Sequence, residues 1–144
     1  MSTHKLNFHI LQSNDEISFE RFLAGLSHQL IKQHRIQIIA RDAQQADAID
    51  ALLWNEPAEA FMPHSLASDP LCPNQAITIS HKLEDTPCEA VIVCDCENML
   101  DSDQIVHYIV DQNPQRLQAS RTLYKNFKQQ GKLAHIIKHQ SQEN

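Results

Sequence analysis

The sequence predicts one α/β domain whose mostly parallel sheet is flanked by helices on both faces. Short β-branched runs alternate with segments of helical periodicity along the 144 residues, which is the pattern of parallel strands joined by helices. No stretch approaches the roughly 18 uninterrupted apolar residues of a membrane span, and residues 1–8 lack the apolar core of a signal peptide. We therefore expect a single domain over residues 1–144, frayed at its C-terminal end, in a cytoplasmic protein.

The beginning of the chain predicts a strand followed by a long helix. Residues 5–11 alternate, with the even-numbered side chains of Leu6–Ile10 on one side of the strand. Ser13 and Glu16 have the spacing of a capping box, so a helix should begin after Ser13 and continue to about His34. Its predicted buried face consists of apolar residues at helical spacing, namely Phe22, Leu23, Leu26, Leu30 and Ile31.

A second strand–helix pair follows. Residues 36–40 form a short β-branched strand, and Asp42 is the expected N-cap of a helix over residues 43–53. The residues expected to be buried in this helix are Ala46, Ile49, Leu52 and Leu53. Four prolines between residues 55 and 73 then favour a loop, with a short extended piece near residues 61–62.

The second half of the chain predicts three strands, a helix and a final strand. The three β-branched runs are 76–80, 90–94 and 104–110, and the last of them is also compatible with a short helix. Pro114 suits the first turn of a helix that should extend to Gln130, with Gly131 as its C′ residue. Residues 134–138 are expected to add a short strand. The total is two to three helices and five to seven strands.

The composition argues against a bound cofactor or metal ion. Gly25 and Gly131 are the only glycines, whereas phosphate-binding loops need several glycines so that backbone N–H groups can approach the anion. The four cysteines have no C-x-x-C spacing and are expected to be reduced thiols; they are Cys72, Cys88, Cys94 and Cys96. Cys94 and Cys96 lie two apart in and after a predicted strand, which indicates two small buried residues.

Charge is unevenly distributed along the chain. The net charge is −6, yet residues 112–142 contain no Asp or Glu. The basic residues of this stretch are Arg116, Arg121, Lys125, Lys128, Lys132 and Lys138. A basic C-terminal region on an otherwise acidic protein predicts a local anion-binding surface. It does not predict general coating of DNA, because the rest of the surface repels phosphate.

The predicted C-terminal helix aligns most of these cations. At about 100° per residue, four of them fall in one stripe, namely Arg121, Lys125, Lys128 and Lys132. Leu123 and Phe127 lie on the opposite side, and Tyr124 lies at the boundary between core and cations. A solvated helix face is the ordinary explanation of such a stripe, but solvated helices commonly intersperse Glu with Lys. The lack of acidic residues favours an anionic ligand.

Trp54 is the only tryptophan. It sits where the second predicted helix meets the proline-rich loop. A tryptophan at such a position either packs into the core or stays half-exposed and anchors an apolar side chain of a partner.

Two segments of the chain resemble the DNA polymerase III chi subunit family. Residues 50–66 read Asp-Ala-Leu-Leu-Trp-Asn-Glu-Pro-Ala-Glu-Ala-Phe-Met-Pro-His-Ser-Leu. They are similar to the helix end and loop of that family, with its Leu-Trp and Pro-Ala-Glu-x-Phe-x-Pro-His pattern. Residues 121–131 read Arg-x-x-Tyr-Lys-x-Phe-Lys-x-x-Gly and resemble the family's C-terminal helix. Lys128 stands where the family commonly has Arg, so an ammonium group replaces a guanidinium that could bind a carboxylate through two parallel hydrogen bonds.

The resemblance implies a Rossmann-like fold without nucleotide binding, in a non-catalytic accessory subunit of the bacterial replicative DNA polymerase III holoenzyme. It implies a heterodimer with the psi subunit, which connects to the clamp loader, and only indirect or weak contact with DNA. It also implies a pocket for the acidic, Phe-ending C-terminal tail of single-stranded DNA-binding protein. Carried over by position, that pocket consists of Trp54, Arg121, Tyr124, Lys125 and Lys128.

Two other functions stay open on the sequence alone. The basic residues between 116 and 138 would suit direct binding of nucleic acid, although few aromatic residues are available for base stacking. A small hydrolase would use Asp95, His107 and Cys94, with Asp95 at the C-terminal end of a strand, where open α/β sheets place their sites. No recognisable catalytic motif includes these three residues.

Overall fold

A computed structural model describes residues 5–54, 64–66, 76–81, 88–94 and 104–139. In these residues the chain forms seven strands and three helices. The strands are β1 (Leu6–Ile10), β2 (Ile36–Ile39), β3 (His64–Leu66), β4 (Ile77–Ser80), β5 (Ala90–Val93), β6 (Ile105–Val110) and β7 (His135–Lys138). The helices are α1 (Glu16–Leu30), α2 (Ala43–Trp54) and α3 (Pro114–Gln129). None of these helices is both long and apolar enough to cross a membrane.

The strands form one sheet in the order β3-β4-β2-β5-β6-β1-β7, and every neighbouring pair is parallel. β1 lies between β6 and β7, with Phe8 opposite Tyr108 on one side and Ile136 on the other. Consecutive parallel strands need long crossover connections, and the three helices supply those from β1 to β2, from β2 to β3 and from β6 to β7. The architecture is the predicted α/β, Rossmann-like fold.

The helices cover both faces of the sheet, as predicted. On one face, α1 and α2 pack on alternate strand residues such as Ile38, Ile79 and Ile92. On the other face, α3 packs through Leu123 and Phe127. Burial of each such side chain stabilises the fold by about 2 kcal/mol. We call these the α1–α2 face and the α3 face.

Helix α1 begins later than the sequence pattern predicts. Its N-cap is Asp15, whose carboxylate accepts hydrogen bonds from the Ser18 N–H and the Ser18 hydroxyl, each at 2.9 Å. The prediction of Ser13 as the cap is therefore wrong. The Ser13 carbonyl instead accepts the Gln112 N–H at 2.9 Å, which ties this residue to the chain just after β6.

The same helix ends at Leu30, short of the predicted His34, and a turn follows. Its predicted apolar face is confirmed, because Leu23 and Leu26 are buried. The rest of that face is partly buried: Phe22, Leu30 and Ile31. The pattern missed Phe19, which is fully buried one turn before Leu23.

The caps of α2 and α3 follow the sequence signals. Asp42 accepts the Gln45 N–H at 2.7 Å, as expected of an N-cap. Asn113 caps α3 directly ahead of Pro114. Gly131 follows the end of α3 with a φ of 79°, in the left-handed region. Glycine adopts this backbone without strain, so Gly131 sets the turn from α3 into β7.

The other predicted strands and the predicted face of α2 are confirmed with small shifts of the element ends, whereas β3 lies in the stretch that was predicted to be mostly loop. The run at 104–110 is a strand and not a helix. The predicted face of α2 is buried at Ala46, Ile49 and Leu53 and partly buried at Leu52. The extended piece expected near residues 61–62 lies outside the described residues. Cys94 is a buried thiol and Cys88 a half-buried one, and neither is in a disulfide, while Cys72 and Cys96 also lie outside the described residues.

Candidate partner-binding site

Helix α3 rests on a cluster of aromatic rings. The Phe127 ring meets the Phe8 ring of β1 and the Tyr108 ring of β6, with centroid distances of 6.4 and 6.1 Å. Phe8 and Tyr108 stack on each other at 5.1 Å. Leu123 is buried one turn earlier in α3. These contacts fix the rotation of α3 on the sheet and decide which of its side chains reach solvent.

With this rotation, the predicted stripe of cations points to solvent. Arg121, Lys125 and Lys128 are exposed. Lys132, in the turn after α3, is partly buried, and its ammonium lies 5.8 Å from the centre of the Phe127 ring, within cation–π range. We call this set the cation face: Arg121, Lys125, Lys128 and Lys132.

Arg116, on the first turn of α3, is not part of the cation face. Its guanidinium donates to both carboxylate oxygens of Asp111, at 2.9 and 2.6 Å, and Asp111 is fully buried just after β6. Burial by itself raises the pKa of Asp111, but the hydrogen bonds and charge of Arg116 outweigh it and hold the pKa below its usual value. The pair fastens the start of α3 to the sheet, so the basic surface of this helix begins at Arg121.

Tyr124 lies between the cation face and the core. Its ring meets the Phe8 ring edge-on, with centroids 5.9 Å apart, and its side chain is partly buried. Because Phe8 belongs to β1, the Tyr124 side of α3 faces β1 and the adjoining edge of the sheet. The structure thus brings most of the predicted site onto one surface: Arg121, Tyr124, Lys125 and Lys128.

Trp54 lies elsewhere in the fold. It ends α2, which packs on the α1–α2 face, so its backbone lies on the opposite side of the sheet from α3. Its side chain and the loop that follows lie outside the described residues. The described contacts do not join Trp54 to the cation face, and its place in the site stays a prediction.

A chain of three histidines, two of them buried and the third partly buried, lies on the α1–α2 face and was not foreseen from the sequence. His9 Nδ1 is 3.0 Å from His139 Nε2, and His9 Nε2 is 2.8 Å from His107 Nδ1. The rings stack, with centroids 5.2 and 5.1 Å apart. Phe22 of α1 packs against the rings of His9 and His139. We call these three histidines the imidazole chain; it links β6, β1 and the end of β7.

Two rings of the imidazole chain, those of His9 and His107, are neutral near neutral pH. Burial lowers the pKa of His9 most, and the charges of His107, His139 and His135 lower it further, to about 3. Burial, followed by the charge of His34, lowers the pKa of His107 to about 4. A neutral imidazole has one donor and one acceptor nitrogen, so neutral rings satisfy both contacts. The alternation of β1 placed His9 on this side of the strand; the neighbouring strands could not be deduced from it.

The residues of the hydrolase alternative do not form a catalytic set in the described structure. Cys94 is fully buried in the core of the α1–α2 face, out of reach of a substrate. His107 is engaged with His9, and Asp95 lies outside the described residues. In the described part of the chain, no three side chains of His, Cys, Asp or Glu are placed to hold a metal ion.

The family of the chain follows from its similarity to known proteins. A family model described as DNA polymerase III chi subunit, HolC, matches residues 3–134. The chain belongs to the DNA polymerase III chi subunit family. One relative, the DNA polymerase III subunit chi of Escherichia coli (strain K12), is 39% identical over 54 residues, which are 38% of this chain and 31% of the relative. The matched stretch therefore spans less than a third of the length of that chi subunit.

The chi family match contains α1, α2, α3 and the strands β1 to β6. It ends at Ala134, so β7 and His139 lie beyond it. The chi family is, by its description, a family of DNA polymerase III subunits. The cation face lies within the matched residues.

Proposed function

We propose that this chain is a non-catalytic adaptor of DNA polymerase III that binds the acidic C-terminal tail of single-stranded DNA-binding protein on the cation face. It pairs with the psi subunit, which connects it to the clamp loader, and it touches DNA only indirectly. The observation that carries the proposal is the cation face itself. Its arginine and lysines lie side by side next to Tyr124. The carboxylate nearest to α3 in sequence, that of Asp111 just before the helix, is already bound to Arg116.

The chemistry of this surface matches the chemistry of the proposed ligand. Carboxylates bind best to charged donors, which Arg121, Lys125 and Lys128 provide at the surface. A terminal phenylalanine needs an aromatic or apolar slot, and the half-buried ring of Tyr124 offers one wall of it. Aligned cations also repel one another, and an acidic peptide relieves that repulsion. The peptide thus gains charge pairs and one aromatic contact on the same surface.

The experiment measures the Kd of an acidic peptide ending in Asp-Ile-Pro-Phe. The wild-type chain should bind it, and removal of the terminal Phe should weaken binding. Lys125→Glu should weaken binding more than Lys125→Ala, because reversal adds repulsion to lost attraction. Binding should also fall as salt rises, since the Debye length shrinks to about 8 Å at physiological ionic strength.

The matched control is Lys5→Glu, a charge reversal at an exposed position just before β1. It should leave the Kd unchanged, and equal damage from both reversals would mean that only overall charge matters.

Binding of bare single-stranded DNA more tightly than the peptide would favour the nucleic-acid module instead. Lys125→Glu should still co-elute with the psi subunit, which separates the two partners. The Kd of the Trp54→Ala variant for the peptide tests whether Trp54 belongs to the site, provided that circular dichroism shows the variant to be folded.

A further inference from the structure

Strand β7 forms one edge of the sheet that the described residues build. Among the described strands, it pairs with β1 on one side and ends the strand order on the other. The His139 N–H donates to the Ile10 carbonyl at 2.9 Å. In a parallel strand the N–H and C=O of one residue point to the same side, and those of the next residue to the other side. The backbone N–H and C=O groups of His135 and Ile137 therefore point to β1, as those of His139 do. The N–H and C=O groups of Ile136 and Lys138 point to the open edge.

Exposed apolar side chains accompany this edge. Leu133, in the turn before β7, is 89% exposed, and Ile136 is 45% exposed. Ile136 pairs with Phe8 between β7 and β1, and its side chain lies on the α3 face. The Tyr124 ring contacts the Phe8 ring edge-on. The exposed Ile136 and the partly buried Tyr124 thus both neighbour the buried Phe8, and Tyr124 is followed in α3 by Lys125 of the cation face.

Charge decides which kind of chain can occupy the edge. Lysine on an edge strand hinders pairing with another basic strand. A second copy of this chain would bring its Lys138 and its cation face against the same charges. An acidic extended segment meets Lys138 on the strand and Lys125 and Lys128 on α3 as opposite charges, while its apolar side chains cover Ile136. Charge complementarity therefore selects an acidic strand as the occupant.

We propose that an extended acidic stretch of the bound tail adds to β7 as a further strand of the sheet. This inference deepens the proposed function and rests on it: the cation face holds carboxylates of the tail, and the backbone of the stretch pairs with Ile136 and Lys138. The mode is strand addition to a sheet edge, in which main-chain hydrogen bonds contribute affinity and alternate side chains contribute specificity. It uses β7, which lies beyond the residues matched by the family model.

Amide hydrogen exchange gives the first test, with the acidic peptide ending in Asp-Ile-Pro-Phe as the probe. In the free protein the amides of Ile137 and His139 should exchange slowly and those of Ile136 and Lys138 quickly. Saturation with peptide should slow Ile136 and Lys138 by about tenfold or more, because they gain hydrogen-bond partners. The control is the free protein at rising concentration. If these two amides exchange more slowly as the protein concentration rises without peptide, a second copy occupies the edge and the proposal is overturned.

Backbone methylation of the peptide gives the second test and leaves the protein untouched. Two peptides are N-methylated at alternate residues, in complementary sets. A strand directs only alternate N–H groups to its partner, so one set should bind about tenfold more weakly, as expected for the loss of one or two hydrogen bonds, and the other should bind like the unmodified peptide. Ile136→Pro should weaken binding to a similar degree in a chain whose circular dichroism is unchanged.

The outcomes separate this inference from the proposed function. Equal binding of both methylated peptides, with sensitivity to Lys125→Glu retained, would mean that the tail binds through α3 side chains alone. The strand addition would then be wrong and the proposed function would stand. Failure of the unmodified peptide to bind the wild-type chain would remove both.

Discussion

On the α1–α2 face of the sheet, three imidazole rings lie in a row on β6, on β1 and after β7, on the same side of the sheet as a core rich in isoleucine. On the α3 face, the rings of Phe8, Tyr108 and Phe127 pack together, and the Asp111–Arg116 pair holds the start of the helix. Both faces are well packed, yet their polar contacts depend on opposite charge states. The imidazole chain is built from neutral rings, whereas the pair under α3 is built from full charges. Mild acid should therefore destabilise the α1–α2 face first, whereas loss of one charged partner should destabilise the α3 face.

Acidification should give the largest effect, and it acts on the α1–α2 face. The pKa values of His9 and His107 fall from an ordinary 6.5 to about 3 and about 4 in the folded chain. Below pH 6.5 the unfolded chain takes up protons that the folded chain does not, so the free energy of unfolding decreases as pH falls towards the folded values. We expect a loss of about 2 kcal/mol for each ring between pH 7 and pH 5, measured by urea unfolding.

The contribution of the imidazole chain is tested by comparing how steeply the free energy of unfolding falls with pH in different variants. His9→Gln should reduce the fall in stability between neutral and mildly acidic pH, because one of the depressed rings is gone. His81→Gln is the matched control, since His81 is an exposed histidine after β4, and it should keep the wild-type slope. Identical slopes in all three proteins would show that the rings do not govern the acid response.

On the α3 face, Arg116→Ala should cost about 3 kcal/mol of unfolding free energy, because it leaves the buried Asp111 carboxylate without its partner. The figure is at the low end for a broken buried pair, since the Arg116 side chain is 24% exposed. Arg121→Ala, on the same helix but at the surface, should change stability by less than about 0.5 kcal/mol. Chemical denaturation of both variants makes the comparison, and similar values for the two would contradict the distinction between fold and cation face.

The smallest effect concerns the turn that carries α3 into β7. Gly131→Ala should destabilise the chain by about 1 kcal/mol, because the φ of 79° at Gly131 strains a residue with a Cβ. Gly25→Ala is the matched control of opposite sign. Gly25 lies inside α1, where an added Cβ meets nothing within 4 Å, so alanine should stabilise the helix by about 0.5–1 kcal/mol. Thermal unfolding of the two variants checks both signs.

The α3 face shows how far sequence periodicity reaches. Leu123 and Phe127 were predicted to be buried, and Arg121 and Lys125 to be exposed, because one helix has a fixed angle per residue. That rule needs no knowledge of neighbouring elements. The assignment of Arg116 needed more, because its partner Asp111 precedes the helix and is reached only once β6 and α3 are placed in space.

The α1–α2 face shows where periodicity stops. The alternation of β1 gives the side of the strand on which His9 lies, but the contacts of His9 depend on the strand order. His107 and His139 are 98 and 130 residues away along the chain. The cap of α1 was also missed, because Ser13 is drawn away from the helix by its bond to Gln112, a tertiary contact.

The imidazole chain has a consequence for the position of protons. Each neutral ring carries one N–H and one bare nitrogen, so three linked rings have only two consistent orders. In one order the outermost N–H is at His107 Nε2, on a ring that lines the same cavity as His34; in the other it is at His139 Nδ1. The rings belong to three adjacent strands and span about 9.5 Å, twice the strand spacing. A group that accepts a hydrogen bond from the ring at one end therefore sets the tautomer of the ring at the other end.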